Sequence, residues 1–133
     1  MIHRFNCRVY YEDTDMGGIV YYANYLKFIE RARSEQVREL EIDQHAMKGD
    51  LGIVFAVRRV DAEYLMAAKL DDLLTVETTL KELSGARMTY LQQVRRDDDL
   101  LFSANVTVVC IGKSGRPARF PADIRRKYEQ TLA

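Results

Sequence analysis

The pattern over residues 23 to 41 restricts the fold more than any other part of the chain. Leu26, Ile29, Ala32, Val37 and Leu40 recur on one side at helical spacing, and Tyr25 and Phe28 widen that side. Lys27, Arg31, Glu35, Arg38 and Glu39 stay polar. Asn24 is placed to cap the helix. After a break at Gly49-Asp50-Leu51-Gly52 the period changes to two. The runs 53 to 65, 73 to 83, 86 to 96 and one from about Phe102 to Cys110 read as strands. Leu74, Val76, Thr78 and Leu80 share a face, as do Met88, Tyr90, Gln92 and Val94, and then Phe102, Ala104, Val106, Val108 and Cys110. Residues 3 to 11 supply a strand before the helix, and Pro121 starts a short terminal helix. The expectation is an α+β domain spanning 1–133, with one long helix on a curved sheet ending in a four-strand antiparallel meander. Run 53 to 65 is interrupted near Arg58-Arg59, which suggests a bulge, and leaves a sheet edge in need of a partner.

Several function classes are disfavoured by composition. Lys plus Arg number 20 and Asp plus Glu number 20, so the net charge is +0. Nucleic-acid binding needs a basic excess that this chain lacks. Neutrality also favours self-association. The two cysteines, Cys7 and Cys110, stand far apart, and no His, Cys or acidic cluster has metal-ligand spacing. Neither a signal peptide nor a membrane-spanning apolar run is expected, which points to the cytoplasm. His3 and Cys7 share a strand face, but such neighbours usually pack rather than catalyse. One charge bias stands out: Lys113, Arg116, Arg119, Arg125, Arg126 and Lys127 oppose the single acid Asp123. Such a run is usually a solvated surface, and otherwise a patch for phosphates or a membrane face.

The chemistry concentrates between residues 11 and 31. An acidic segment bends through Gly17-Gly18, crosses a short apolar run and enters the long helix. Asp15 therefore lies just ahead of a helix N-terminus, where unpaired N–H groups and the positive end of the helix dipole point outward. Those donors can stabilise an oxyanion developing on a carbonyl, while the carboxylate attacks it or activates water. The plainer reading of the same features is a helix-capping acid and a turn.

The run Tyr11-Glu-Asp-Thr-Asp15-Met-Gly-Gly18-Ile-Val-Tyr-Tyr22-Ala-Asn-Tyr25-Leu-Lys-Phe28-Ile-Glu30-Arg-Ala-Arg33 closely resembles the signature of the 4-hydroxybenzoyl-CoA thioesterase family. Within it, the run is most similar to the acyl-CoA thioesterases associated with the Tol–Pal envelope system. The resemblance implies a hot-dog fold, in which a curved five-stranded antiparallel sheet wraps a long central helix. It implies homodimers or homotetramers with sites at the subunit interface, and hydrolysis of an acyl-CoA thioester to an acid and CoA without metal or redox cofactor.

Carried over residue by residue, the family's catalytic acid falls on Asp15 and its carbonyl-polarising backbone N–H on Tyr22, with Tyr11 as an aromatic hydroxyl beside the acid. Gly18, Ile19 and Val20 are expected against the substrate. Ser84, Gly85 and Arg87 are expected at its nucleotide end, with the basic C-terminal segment as the alternative place for the phosphates. Many relatives carry His where Tyr22 stands, so no imidazole is expected beside the leaving thiolate. Glu30 and Arg33 are expected in helix salt bridges or structural contacts.

The rival reading is a non-catalytic module binding acyl-CoA or acyl-carrier protein, docked to envelope or phospholipid-synthesis proteins peripherally at the inner membrane. A dehydratase on the same fold is disfavoured, because its histidine is not in the helix-entry segment.

Overall fold

A computed structural model describes all residues, 1–133. Strand β1 (Ile2–Arg8) leads through a short turn at Tyr11–Asp13 to helix α1 (Asn24–Glu39). A brief helix, α2 (Gln44–Ala46), and a wide turn, Met47–Leu51, precede the four remaining strands. These are β2 (Val54–Tyr64), β3 (Leu73–Leu83), β4 (Arg87–Arg96) and β5 (Asp99–Ile111), and α3 (Ala122–Glu129) follows.

All five strands form one antiparallel sheet in the order β1-β3-β4-β5-β2. The meander therefore has three strands, not the four expected. After β2 the chain crosses the sheet to β3, and β2 pairs with β5 at the opposite edge. Period-two patterning shows which face of a strand is buried but not which neighbour it pairs with. The bulge lies where it was expected, with a register shift between Val57 and Arg59.

The alternating faces read from β3, β4 and β5 all point inward. Leu74, Val76, Leu80, Val94, Phe102 and Val106 are fully buried. Against them α1 presents Tyr25, Phe28, Ile29, Ala32, Gln36 and Val37. That stripe is rotated from the expected one. Leu26 is 41% exposed, and the aromatic pair forms the centre of the buried face. Tyr25 stacks on Phe102 with ring centroids 5.0 Å apart, and its hydroxyl accepts a hydrogen bond from the Ala68 amide at 3.1 Å.

The end of α1 is sharply defined. Glu41 takes φ 58°, Glu41 N donates to Arg38 O, and Ile42 N donates to Val37 O at 3.2 Å. This left-handed stop satisfies the last carbonyls and sets Ile42 near Val37.

A polar chain crosses the apolar core. The buried Gln92 amide on β4 donates to Ile29 O and to Thr78 Oγ1, both at 2.9 Å, and accepts from Arg33 Nη1 at 2.8 Å. Arg33 is thus a helix-to-sheet tie, while Glu30 bonds Ser34 at 3.2 Å. Every group in this chain depends on one side chain. Gln92→Ala should cost about 3 kcal/mol, from the volume lost and the partners left unpaired. Urea unfolding checks this, and a loss under about 0.5 kcal/mol would show that helix and sheet are not tied there.

Candidate active site

The segment that delivers Asp15 is held by main-chain bonds on both sides. Asp13 is buried, and its carboxylate accepts from Tyr10 N at 2.8 Å. Its carbonyl accepts from Tyr21 N at 3.0 Å and from Asn24 Nδ2 at 2.9 Å. Asn24 is therefore not the helix cap expected, since α1 starts from Ala23 with no side-chain cap. Its amide side chain instead locks the helix start to the acidic segment. Asp15 N donates to Ile19 O, and Val20 N donates to Ala68 O, both at 2.9 Å. Gly18 takes φ +78°, which favours glycine, and no atom lies within 4 Å of where its Cβ would be.

This clamp uses some amides and spares others. Those of Gly18, Val20 and Tyr21 are occupied, whereas those of Tyr22 and Ala23 find no acceptor in the chain. With no capping side chain above them, they form the open, positive end of α1.

Asp15 precedes them on the approach to α1. It lines a cavity of about 330 Å³ together with Ile19, Val20, Tyr22, Tyr25, Tyr64 and Met66 among others, and it is the only charged group there. Its Oδ1 accepts from Gly17 N at 2.8 Å, and a Cβ on Gly17 would lie 3.2 Å from that oxygen. The carboxylate is exposed in the single chain, as is the side chain of Tyr22, whose carbonyl accepts from the Tyr64 hydroxyl at 3.0 Å. An acid and an apolar wall therefore share one cavity with Tyr22, the residue whose amide is free at the start of α1. That set can polarise a carbonyl and bring an attacking oxygen to it.

Other expected positions lie elsewhere. Tyr11 is 83% exposed in the preceding turn and does not line this cavity. The Ser84–Gly85 hairpin and Arg87 lie at the far end of the sheet. Arg87 pairs with Val109 of β5, whereas Tyr64 pairs with Phe102. At about 3.4 Å per residue, the two ends stand roughly 24 Å apart along β5. At the hairpin, Arg125 Nη1 donates to Ser84 O at 2.6 Å, and a Cβ on Gly85 would lie 3.6 Å from Arg119 Nη1. Of the basic C-terminal segment, Arg119 and Arg125 thus reach the turn that precedes Arg87, whereas Lys127 Nζ donates to Glu41 O at 2.7 Å and Lys113 lies against Gly52.

Tyr64, Leu65 and Met66 belong to the Asp15 cavity but were not singled out from the sequence. Their signal was faint, an apolar run continuing past a strand end where a polar turn would be usual. The cysteines take no part. His3 bonds Glu39 at 2.8 Å, and burial pushes the Cys7 and Cys110 thiols up to about 11.

One helix wrapped by a five-stranded antiparallel sheet, with an acid before the helix N-terminus, is the hot-dog architecture of thioester-handling proteins. The chain belongs to the thioesterase superfamily, whose model matches residues 17–103. It is 43% identical over 126 residues to the acyl-CoA thioesterase YbgC of Haemophilus influenzae, covering 93% of this chain and 92% of that protein. It is 37% identical over 131 residues to the acyl-CoA thioester hydrolase YbgC of Escherichia coli, covering 97% of each. The crystal structure of a probable thioesterase from Bartonella henselae is similar at TM-score 0.86 and 35% identity, over 91% of this chain and all of that one. No helix is long and apolar enough to cross a membrane.

Because raised thiol pKa values deplete thiolate, native protein at pH 8 should react with a disulfide reagent about a hundredfold more slowly than an unburied cysteine. Stopped-flow absorbance tests this, and labelling at the rate of free cysteine would contradict the burial described.

Proposed function

We propose that this chain is an acyl-CoA thioesterase, with Asp15 as the catalytic carboxylate and the Tyr22 amide as the oxyanion donor. The supporting observation is that Asp15 lines one cavity with Tyr22, whose amide at the start of α1 is unoccupied. The thioester carbonyl oxygen lies against the Tyr22 and Ala23 N–H groups, over Gly18, Ile19 and Val20. Asp15 attacks the carbonyl carbon or takes a proton from a water that attacks it. The collapsing intermediate expels the CoA thiolate, which picks up a proton. In the first route water then cleaves the acyl–Asp15 anhydride; in the second the attacking water is already incorporated. In both a carboxylic acid leaves and Asp15 is regenerated. A thiolate departs readily, so the absence of an imidazole at Tyr22 leaves the reaction feasible. Tyr11 acts only if a second chain or a bound substrate brings it to the acid.

The working unit is a dimer of this single hot-dog domain. Strand β2 is an unpartnered edge, with Val57, Val60 and Tyr64 exposed along it. Antiparallel pairing of two β2 edges about their midpoint sets the Tyr64 end of one copy beside the Val54 end of the other. The Asp15 cavity of one chain then faces the hairpin half of its partner, including the Arg87, Arg119 and Arg125 patch that suits CoA phosphates. The 24 Å separation within one chain is thereby closed between two.

Asp15→Asn should lower thioester hydrolysis at least a thousandfold while leaving the oligomer and CoA binding intact. Release of free thiol from a panel of acyl-CoAs, beside size-exclusion chromatography, tests this. Wild-type activity in the variant would remove the proposal. Arg87→Ala should raise KM severalfold and change kcat little. A lowered kcat at unchanged KM would move the phosphates away from the hairpin.

A further inference from the structure

A second cavity lies between the middle of α1 and the open side of the sheet. Its lining comes from the Glu30–Val37 side of α1 and from Phe55, Ala56 and Val57 of β2, Met88 and Tyr90 of β4 and Val108 of β5. The cavity holds about 210 Å³, and Val37, Phe55, Val57, Met88 and Val108 make it apolar. Its polar groups are Glu30, Arg33, Ser34, Gln44, Tyr90 and Tyr128.

Two of these groups lack the partners their burial calls for. Tyr128 is 0% exposed, and its hydroxyl makes no well-formed hydrogen bond, its one polar neighbour being the Tyr90 hydroxyl, which itself donates to Met88 Sδ at 3.6 Å. A buried hydroxyl left poorly paired is costly, so such a group beside a cavity marks a place for a ligand oxygen. The Arg33 guanidinium makes a single bond, to the neutral Gln92 amide, and pairs with no carboxylate. Burial draws its pKa down, and the nearest acid, Glu30, is exposed on the helix and bonded to Ser34. A partly desolvated cation without a counter-ion favours an acceptor, an anionic one most.

We infer that this cavity receives the far end of the acyl group, and that Tyr128 and Arg33 select compact acyl chains ending in a hydrogen-bond-accepting oxygen, carboxylate foremost. The inference rests on the thioesterase reading and on pairing through β2. That pairing places Phe55 and Val57 of one copy near Tyr64 of the other, so the cavity continues the partner's Asp15 site. Size agrees with the selection. A cavity of about 150 Å³ accommodates benzene, so 210 Å³ has room for roughly a six-carbon chain with a polar end.

The experiment compares kcat/KM for hexanoyl-CoA, 6-hydroxyhexanoyl-CoA and adipoyl-CoA, with wild type, Tyr128→Phe and Arg33→Met. In wild type the oxygen-ended substrates should exceed hexanoyl-CoA at least tenfold, since a site with polar groups to satisfy rejects the analogue lacking them. Tyr128→Phe should cut both ratios at least threefold, and Arg33→Met should cut the adipoyl ratio most. A wild-type ratio near one would overturn the selectivity and leave thioester hydrolysis standing. A high ratio untouched by both variants would move the selection to other residues and also overturn it. The wild-type ratio does not depend on either variant folding. Hydrolysis of none of the three, nor of any other acyl-CoA, would remove the enzyme reading and this inference together.

Discussion

The double acceptance at the Asp13 carbonyl is the constraint on which the rest of the site depends. Tyr21 N and the Asn24 side chain both donate to this one oxygen, so the acidic segment and the start of α1 move as one body. Because Asn24 reaches sideways to Asp13, it does not fold back over the helix end, and no other side chain caps it. The amides of Tyr22 and Ala23 are therefore left without acceptors, and Tyr22 shares a cavity with Asp15. Leaving helix amides open has a cost, and the fold offsets it with a fully packed helix face built on Phe28, Ile29 and Ala32.

Helix depth and orientation come from a second tie, the Gln92 amide that joins Ile29, Thr78 and Arg33. Together the two ties fix where α1 starts and how it lies on the sheet. Beside the helix lie the 210 Å³ cavity and the bare β2 edge, and the proposed dimer brings both to the substrate.

Much of this was legible in the sequence because it is local. Alternation gave the inward faces of β3, β4 and β5, and the Asp15 to Tyr22 run gave the helix-entry site. What the sequence left open is pairing and rotation. Nothing in the residues of β2 says that β5 rather than β3 is its neighbour. A moderate apolar excess on α1 let Leu26 pass for a core residue, although it is exposed and the Tyr25–Phe28 pair is central. Asn24 looks like a cap because asparagine usually is one at a helix start. Its bond to residue 13 is a long-range contact that spacing cannot reveal. Likewise Arg119 and Arg125 join Arg87 only because the terminal segment folds back on the Ser84–Gly85 turn.

The most direct test of the account is a crystal structure of Asp15→Asn bound to a ketone analogue of an acyl-CoA, with methylene in place of the thioester sulfur. The carbonyl oxygen should lie about 3 Å from Tyr22 N or Ala23 N, with the side chain at position 15 against the carbonyl carbon. A carbonyl held anywhere else, with those two amides still unoccupied, would contradict it.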